Sequence, residues 1–118
     1  MALDTFQKQL LSGSTSGIGI PINATTSGSA NTIHTAHPTN LHECWVAFCN
    51  NSANDVLVTL AIGGTGSTNL IPLTIPAGRG LVPVINGLVY TGSVVIKAWA
   101  ATTGAIVAYG FVNEIVTI

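Results

Sequence analysis

The sequence predicts an all-β domain: a small antiparallel β-sandwich or jelly-roll-like barrel of about seven strands, with an extended N-terminal arm. Three observations predict it. From Leu41 onward, short apolar runs alternate with turn clusters roughly every 8 to 12 residues. No helical period competes between residues 41 and 118. The stretch before it is dominated by Ser, Thr, Gly and Asn and cannot pack a core of its own. The expected organisation is therefore an arm over residues 1–40 and a β-sandwich over residues 41–118.

Within the arm, Leu3, Phe6 and Leu10 fall at helical spacing, which allows a short helix over 2–11, too short to be stable alone. Those three side chains would face a partner's groove. Ile18, Ile20 and Ile22 recur at spacing two around Pro21, the pattern of a strand that adds to a neighbour's sheet edge. Fully extended, thirty such residues reach on the order of 100 Å, far enough to touch a second subunit.

The domain then reads strand by strand. Residues 41–49 are aromatic and aliphatic and stop at the turn cluster 50–55. Residues 56–62 alternate at period two, and 70–75 follow the glycine-rich loop 63–69. After a turn at 76–80, residues 81–85 run to Asn86-Gly87, a tight-turn dipeptide, and 88–90 continue. Residues 94–100, 105–112 and 115–118 complete the series. Pro72 and Pro83 interrupt strand runs, so their strands are expected at sheet edges or with bulges. In 94–100 and 105–112 both faces are mostly apolar. Such a sheet is either buried on both sides or meets another subunit on its second face.

Composition narrows the function. The 118 residues are 47% hydrophobic and only 6% charged, with a formal net charge of −1, against a usual charged share of about 25%. So little charge favours association over solvation as a free monomer. Three Lys and Arg residues are too few for nucleic-acid binding, which takes about six phosphate contacts or more, or for a polybasic membrane anchor. The 23 uncharged residues between Asp55 and Arg79 contain a glycine loop, Pro72 and Pro76, and so cannot form a membrane helix. The N-terminus has no secretory pattern, so a cytoplasmic site of synthesis and assembly is expected. Cys44 and Cys49, five residues apart on a strand, are expected on opposite faces as free thiols.

The one cluster of chemically active types is His34, His37, His42, Glu43 and Cys44. His34 and His37 are of zinc- or nickel-binding type, but Pro38 and the threonines argue against the helix that would put them on one face. They are expected to hydrogen-bond where the arm meets the sheet, and the intrinsic titration range of histidine would permit pH sensitivity there. Cys44 or Cys49 beside His42 lacks the exposed, thiolate-stabilising setting of a nucleophile. Asp55 and Glu114 are expected in solvated or capping roles. The loop at Gly63 lacks the Lys of a phosphate cradle and reads as a hairpin loop. Arg79, between two glycines, is a turn residue or an inter-subunit hydrogen-bond donor. Trp45, Trp99 and Tyr109 are expected to fill the core rather than stack on a sugar. No catalytic residue, cofactor or metal is expected.

The segments His34-Thr35-Ala36, Glu43-Cys44-Trp45-Val46, Asn50-Asn51-Ser52, Ile75-Pro76-Ala77-Gly78-Arg79-Gly80-Leu81 and Tyr109-Gly110-Phe111-Val112-Asn113 resemble small virion structural proteins of tailed bacteriophages. They are similar in particular to β-sandwich decoration or cement proteins, including those of phages that infect cyanobacteria. The resemblance covers residues 34–114. It implies a subunit on the exterior of the phage head, bound to the major capsid protein, often as a homotrimer. The arm would lie across neighbouring capsomers, with Leu3, Phe6, Leu10, Ile18, Ile20, Ile22 and Arg79 as interface residues. A tail, neck or fibre component, such as a receptor- or glycan-binding module, is the alternative.

Overall fold

The computed structural model describes residues 4–117 and forms an all-β sandwich of two antiparallel sheets. Among the described residues there are nine strands: β1 (Asp4–Leu10), β2 (Ile20–Ile22), β3 (Asn31–Thr35), β4 (Leu41–Asn50), β5 (Val56–Ile62), β6 (Leu70–Ile75), β7 (Leu81–Tyr90), β8 (Val95–Ala100) and β9 (Ile106–Thr117). The five-stranded sheet runs β1-β9-β4-β7, with β2 pairing β9 on the same edge as β1. The four-stranded sheet runs β3-β8-β5-β6. After β2 the chain switches sheets at every connection except the β5–β6 hairpin.

Period-two alternation decides what lies between the sheets. In β4, His42, Cys44, Val46, Phe48 and Asn50 point inward and are buried, while the intervening residues are partly or fully exposed. Val56, Val58 and Leu60 of β5, Ile96, Ala98 and Ala100 of β8, and Ile106, Ala108 and Val112 of β9 meet them. Phe48 is the largest fully buried side chain, and its complete burial stabilises the fold by about 2–3 kcal/mol.

The N-terminal third corrects the expectation of an arm. Residues 4–10 form a strand rather than a helix, paired with β9 from Asp4↔Thr117 to Leu10↔Phe111; Leu3 lies outside the described residues. Leu11, Ile22 and Ile33 are fully buried, and Ile20 is nearly so. The isoleucine strip therefore completes the chain's own sheet through Ile20↔Ala108 and Ile22↔Ile106 and is not free to extend a neighbour's. The physical reason is burial: four large aliphatic side chains gain more by closing this core than by waiting for another subunit.

Two further differences concern strand continuity. Asn86-Gly87 is a bulge inside β7, since Cys44 pairs with Leu88 and Trp45 with Asn86, leaving Gly87 over at φ +82. Asn113 and Glu114 do not separate two strands but lie within β9, opposite Glu43 and His42. The prolines stand as expected: Pro72 is on edge strand β6, and Pro83 is on edge strand β7 beside a second register shift. Each deprives an edge of a donor and blunts it against further pairing.

Candidate functional site

The outward side of the five-stranded sheet is the most unusual surface of the molecule. Cross-strand register sets its rows: Phe6–Ile115–Leu41, Lys8–Asn113–Glu43–Val89, Leu10–Phe111–Trp45–Asn86, Tyr109–Ala47–Pro83 and Val107–Cys49–Leu81. Phe6 is 69% exposed, Leu81 57% and Leu10 53%, with Leu41, Trp45, Val89 and Tyr109 also exposed. Between β9, β4 and β7 the surface sinks into a hollow of about 510 Å³ lined by Trp45, Leu81, Pro83, Tyr109 and Phe111 among others. Scattered exposed apolar residues are ordinary, and a contiguous patch across four strands is what sets this face apart.

The polar groups on this face are few and mutually engaged. Trp45 stacks beside Phe111 with centroids 6.2 Å apart and planes 13° from parallel. Lys8 lays its ammonium 4.8 Å from the Phe111 ring centre. Glu43 Oε1 accepts from Trp45 Nε1 at 2.9 Å and from Asn113 Nδ2 at 3.0 Å. The Asn113 and Trp45 hydrogen bonds hold the Glu43 carboxyl below its usual range, so it is a carboxylate at neutral pH. Two glycines make room for the platform. A Cβ at Gly110 would run into the backbone carbonyl of Trp45, and one at Gly87 would meet the Trp45 ring at 3.0 Å.

Beneath this sheet, at one end of the sandwich, lies a buried polar chain. The Ser12 backbone N–H donates to His34 Nδ1 at 2.9 Å. His34 Nε2 and His42 Nδ1 are 2.8 Å apart, and His42 Nε2 is 3.1 Å from Glu114 Oε1. An amide can only donate, so His34 Nδ1 is an acceptor and its proton sits on Nε2. That proton points at His42 Nδ1, which places the His42 proton on Nε2, facing the carboxylate. Every donor in the chain thus points the same way, from Ser12 to Glu114. Burial first, and the neighbouring His42 second, lower the His34 pKa to about 4, so both the geometry and the environment keep it neutral.

This chain holds polar groups in place without exposing a reactive one. Cys44, two residues from His42, is buried, and burial followed by the nearby Glu43 charge raises its thiol pKa to about 11, the reverse of an activated nucleophile. The Tyr90 hydroxyl is buried without a hydrogen-bond partner, and burial first, then Cys44, raises its pKa. His37 stands apart from the chain, with Nδ1 accepting from the backbone N–H groups of Thr39 and Asn40. No group of three or more His, Cys, Asp or Glu side chains is arranged to hold a metal ion among the described residues.

Comparison with family models, with curated proteins and with solved structures found no match to this chain. The site is therefore read from its own geometry.

Of the residues expected at an interface, Phe6 and Leu10 stand on the apolar face, and Ile18 is 65% exposed in the β1–β2 connection. Ile20 and Ile22 face the core, and Leu3 lies outside the described residues. Arg79 is exposed in the turn between β6 and β7. Cys44 and Cys49 are free thiols, buried and half-buried respectively. The histidines do hydrogen-bond where the N-terminal segment meets the sheet. Glu114, expected in a solvated or capping role, is 9% exposed and bonded to His42. Trp45 and Tyr109, expected in the core, lie on the outer face, and Trp99 is half-buried on the outside of the four-stranded sheet, opposite Thr59. For Trp99 and Tyr109 the only sequence signal was apolarity on both faces of 94–100 and 105–112, which does not say which face is inside.

Proposed function

We propose that this chain is a non-enzymatic structural subunit of a virus particle, a capsid decoration or cement protein that binds and stabilises an assembled phage head. The observation that carries the reading is the apolar outer face of the five-stranded sheet, too large and too continuous for a surface left in water. The low charge of the chain and the resemblance of residues 34–114 to phage decoration proteins support the same reading. Its partners are the major capsid protein beneath it and neighbouring subunits beside it. Phe6 and Leu10 now act from a sheet face rather than from a mobile arm.

The mechanism is area and linkage. Burying apolar surface contributes about 25 cal/mol per Å² before ordering costs are subtracted. A subunit that binds the assembled shell and not its dissociated parts shifts the equilibrium toward the shell. No reactive group is needed. The buried Cys44 thiol is held protonated, and His34 and His42 have both ring nitrogens engaged.

The test is to add purified protein to phage heads that lack it. Co-sedimentation at a fixed ratio, with a higher melting temperature of the heads, is the expected result. A second reading, a tail or fibre module that binds glycans, is favoured by the Trp45–Phe111 pair beside Glu43 and Asn113. Indifference to heads together with saturable glycan binding would establish it in place of the first.

A further inference from the structure

We infer that the occupant of the apolar sheet face is a second copy of this chain, packed sheet on sheet about a two-fold axis that runs parallel to the strands. The inference rests on the reading that this face is covered in the assembled state, and it names what covers it.

Shape is the first argument. Along the order β1-β9-β4-β7, Phe6 and Leu10 protrude on the β1 side of the face and the hollow opens on its β7 side, where Leu81 and Val89 are also exposed. A two-fold axis along the strands carries β1 of one copy over β7 of the other and keeps each cross-strand row at its own height. Leu10 shares a row with Trp45 and Asn86. It is therefore delivered to the hollow beside Trp45 of the second copy, and the reciprocal contact forms at the same time. Phe6 is likewise brought to the row of Leu41. Because both halves of the contact lie on one face, the pair closes on itself, whereas a three-fold ring needs two patches on different sides of the subunit.

Charge is the second argument. Among the side chains described on this face, Lys8 and Glu43 are the only two that carry charge, and they are opposite in sign. They share a row, with Lys8 on β1 and Glu43 on β4. The same rotation sets Lys8 about one strand spacing, roughly 4.8 Å, to the side of Glu43 in the second copy. A lysine side chain spans that gap. Both intramolecular bonds to Glu43 fall on Oε1, which leaves Oε2 to accept from the incoming ammonium. Two symmetric ion pairs form, and among the described side chains no charge is left unmatched on the covered face.

Area is the third. With strands about 4.8 Å apart, β9 and β4 overlie along their full paired length and β1 and β7 over the two rows they share, roughly 450 Å² of sheet on each copy, so two faces together bury about 900 Å². That is the size of a reversible contact and above most adventitious ones. Sheets pack about 10 Å apart at about −30°, the arrangement that interdigitating side chains of this size require.

The experiment measures mass in solution by light scattering, over a dilution series and without phage particles. Wild type is expected at twice the chain mass. W45E is expected at the chain mass with its β circular-dichroism signal intact. K8E and E43K, each of which places like charges opposite one another, are each expected to weaken the dimer about tenfold or more, and K8E/E43K to restore it. Should W45E fail to fold, the exchange of the two exposed charges still decides the question. A wild-type monomer at every concentration, a threefold mass, or a double variant no better than its parents overturns the pairing. Failure of the wild type to bind phage heads is a separate result and tells against the decoration reading alone.

Discussion

The two outward faces of this sandwich are built from strands of the same chain, yet they differ in kind. On the four-stranded sheet, Thr32, Thr35, Thr59 and Thr74 stand outward with Lys97, around half-buried Trp99 and exposed Leu57. On the five-stranded sheet the equivalent positions hold Phe6, Leu10, Leu41, Trp45, Tyr109 and Leu81. Threonine satisfies the steric preference of a strand as well as valine does and keeps a hydroxyl for water. Strand formation therefore does not demand the aromatic and leucine side chains of the first face. On the proposed function they answer to a contact beyond the chain.

The comparison can be broken most severely from the N-terminus. Deleting residues 1–32 removes Leu11, Ile20 and Ile22 from the core and β1 from the apolar face. Each fully buried aliphatic side chain contributes about 1.5–3 kcal/mol, so the loss consumes most of the 5–15 kcal/mol that holds a domain together. The truncated chain is expected to be unfolded by circular dichroism, with no dispersed amide spectrum. A folded truncation would return the segment to the status of an arm.

Next in size is the platform itself. G110V pushes a side chain into the Trp45 carbonyl on the central strand pair, and is expected to cost about 2–3 kcal/mol in denaturant titration. The buried chain beneath the same sheet comes third. E114A leaves the His42 Nε2 proton without its acceptor and is expected to cost about 1–3 kcal/mol.

The chain also sets a pH dependence. His34 has a folded-state pKa of about 4 against an ordinary 6.5, so between those values the unfolded chain binds the proton that the folded one refuses. Stability is then full above about pH 6.5 and declines as the pH falls toward 4, by about 2 kcal/mol once water access to the ring is allowed for. Melting curves from pH 7 to pH 4 check this, and H34Q is expected to flatten them. The smallest effect separates the faces most cleanly. T59E on the four-stranded sheet is expected to leave both stability, within about 0.5 kcal/mol, and association unchanged. An effect of T59E on mass equal to that of W45E would erase the distinction.

Much of this architecture was legible in the sequence. Strands β5 and β6 fall at the residues their alternation indicates, and Pro72 and Pro83 mark edges because a missing N–H has the same consequence wherever the strand sits. The N-terminal third was not legible. A Ser/Thr/Gly-rich segment with isolated Leu and Ile looks unable to make a core when considered by itself, and the core it joins is supplied by β9 and β8, far away in the sequence. The Glu114–His42 contact was hidden for a related reason: residues 72 apart meet only because β4 and β9 pair in one register. Trp45 and Tyr109 were assigned to the core because large aromatic residues usually lie there. Strand parity, set by the buried Cys44, Val46 and Phe48 on the alternate face, decided otherwise.

The pairing of Asp4 with Thr117 brings the first and last described residues side by side. A pull applied at those two points would part β1 from β9 one hydrogen bond at a time, the weakest way to load an antiparallel pair, because no two bonds share the force. A load applied across the flat of the sheet is instead distributed over many side chains at once. A sandwich of this design yields along the β1–β9 edge before it yields across its faces.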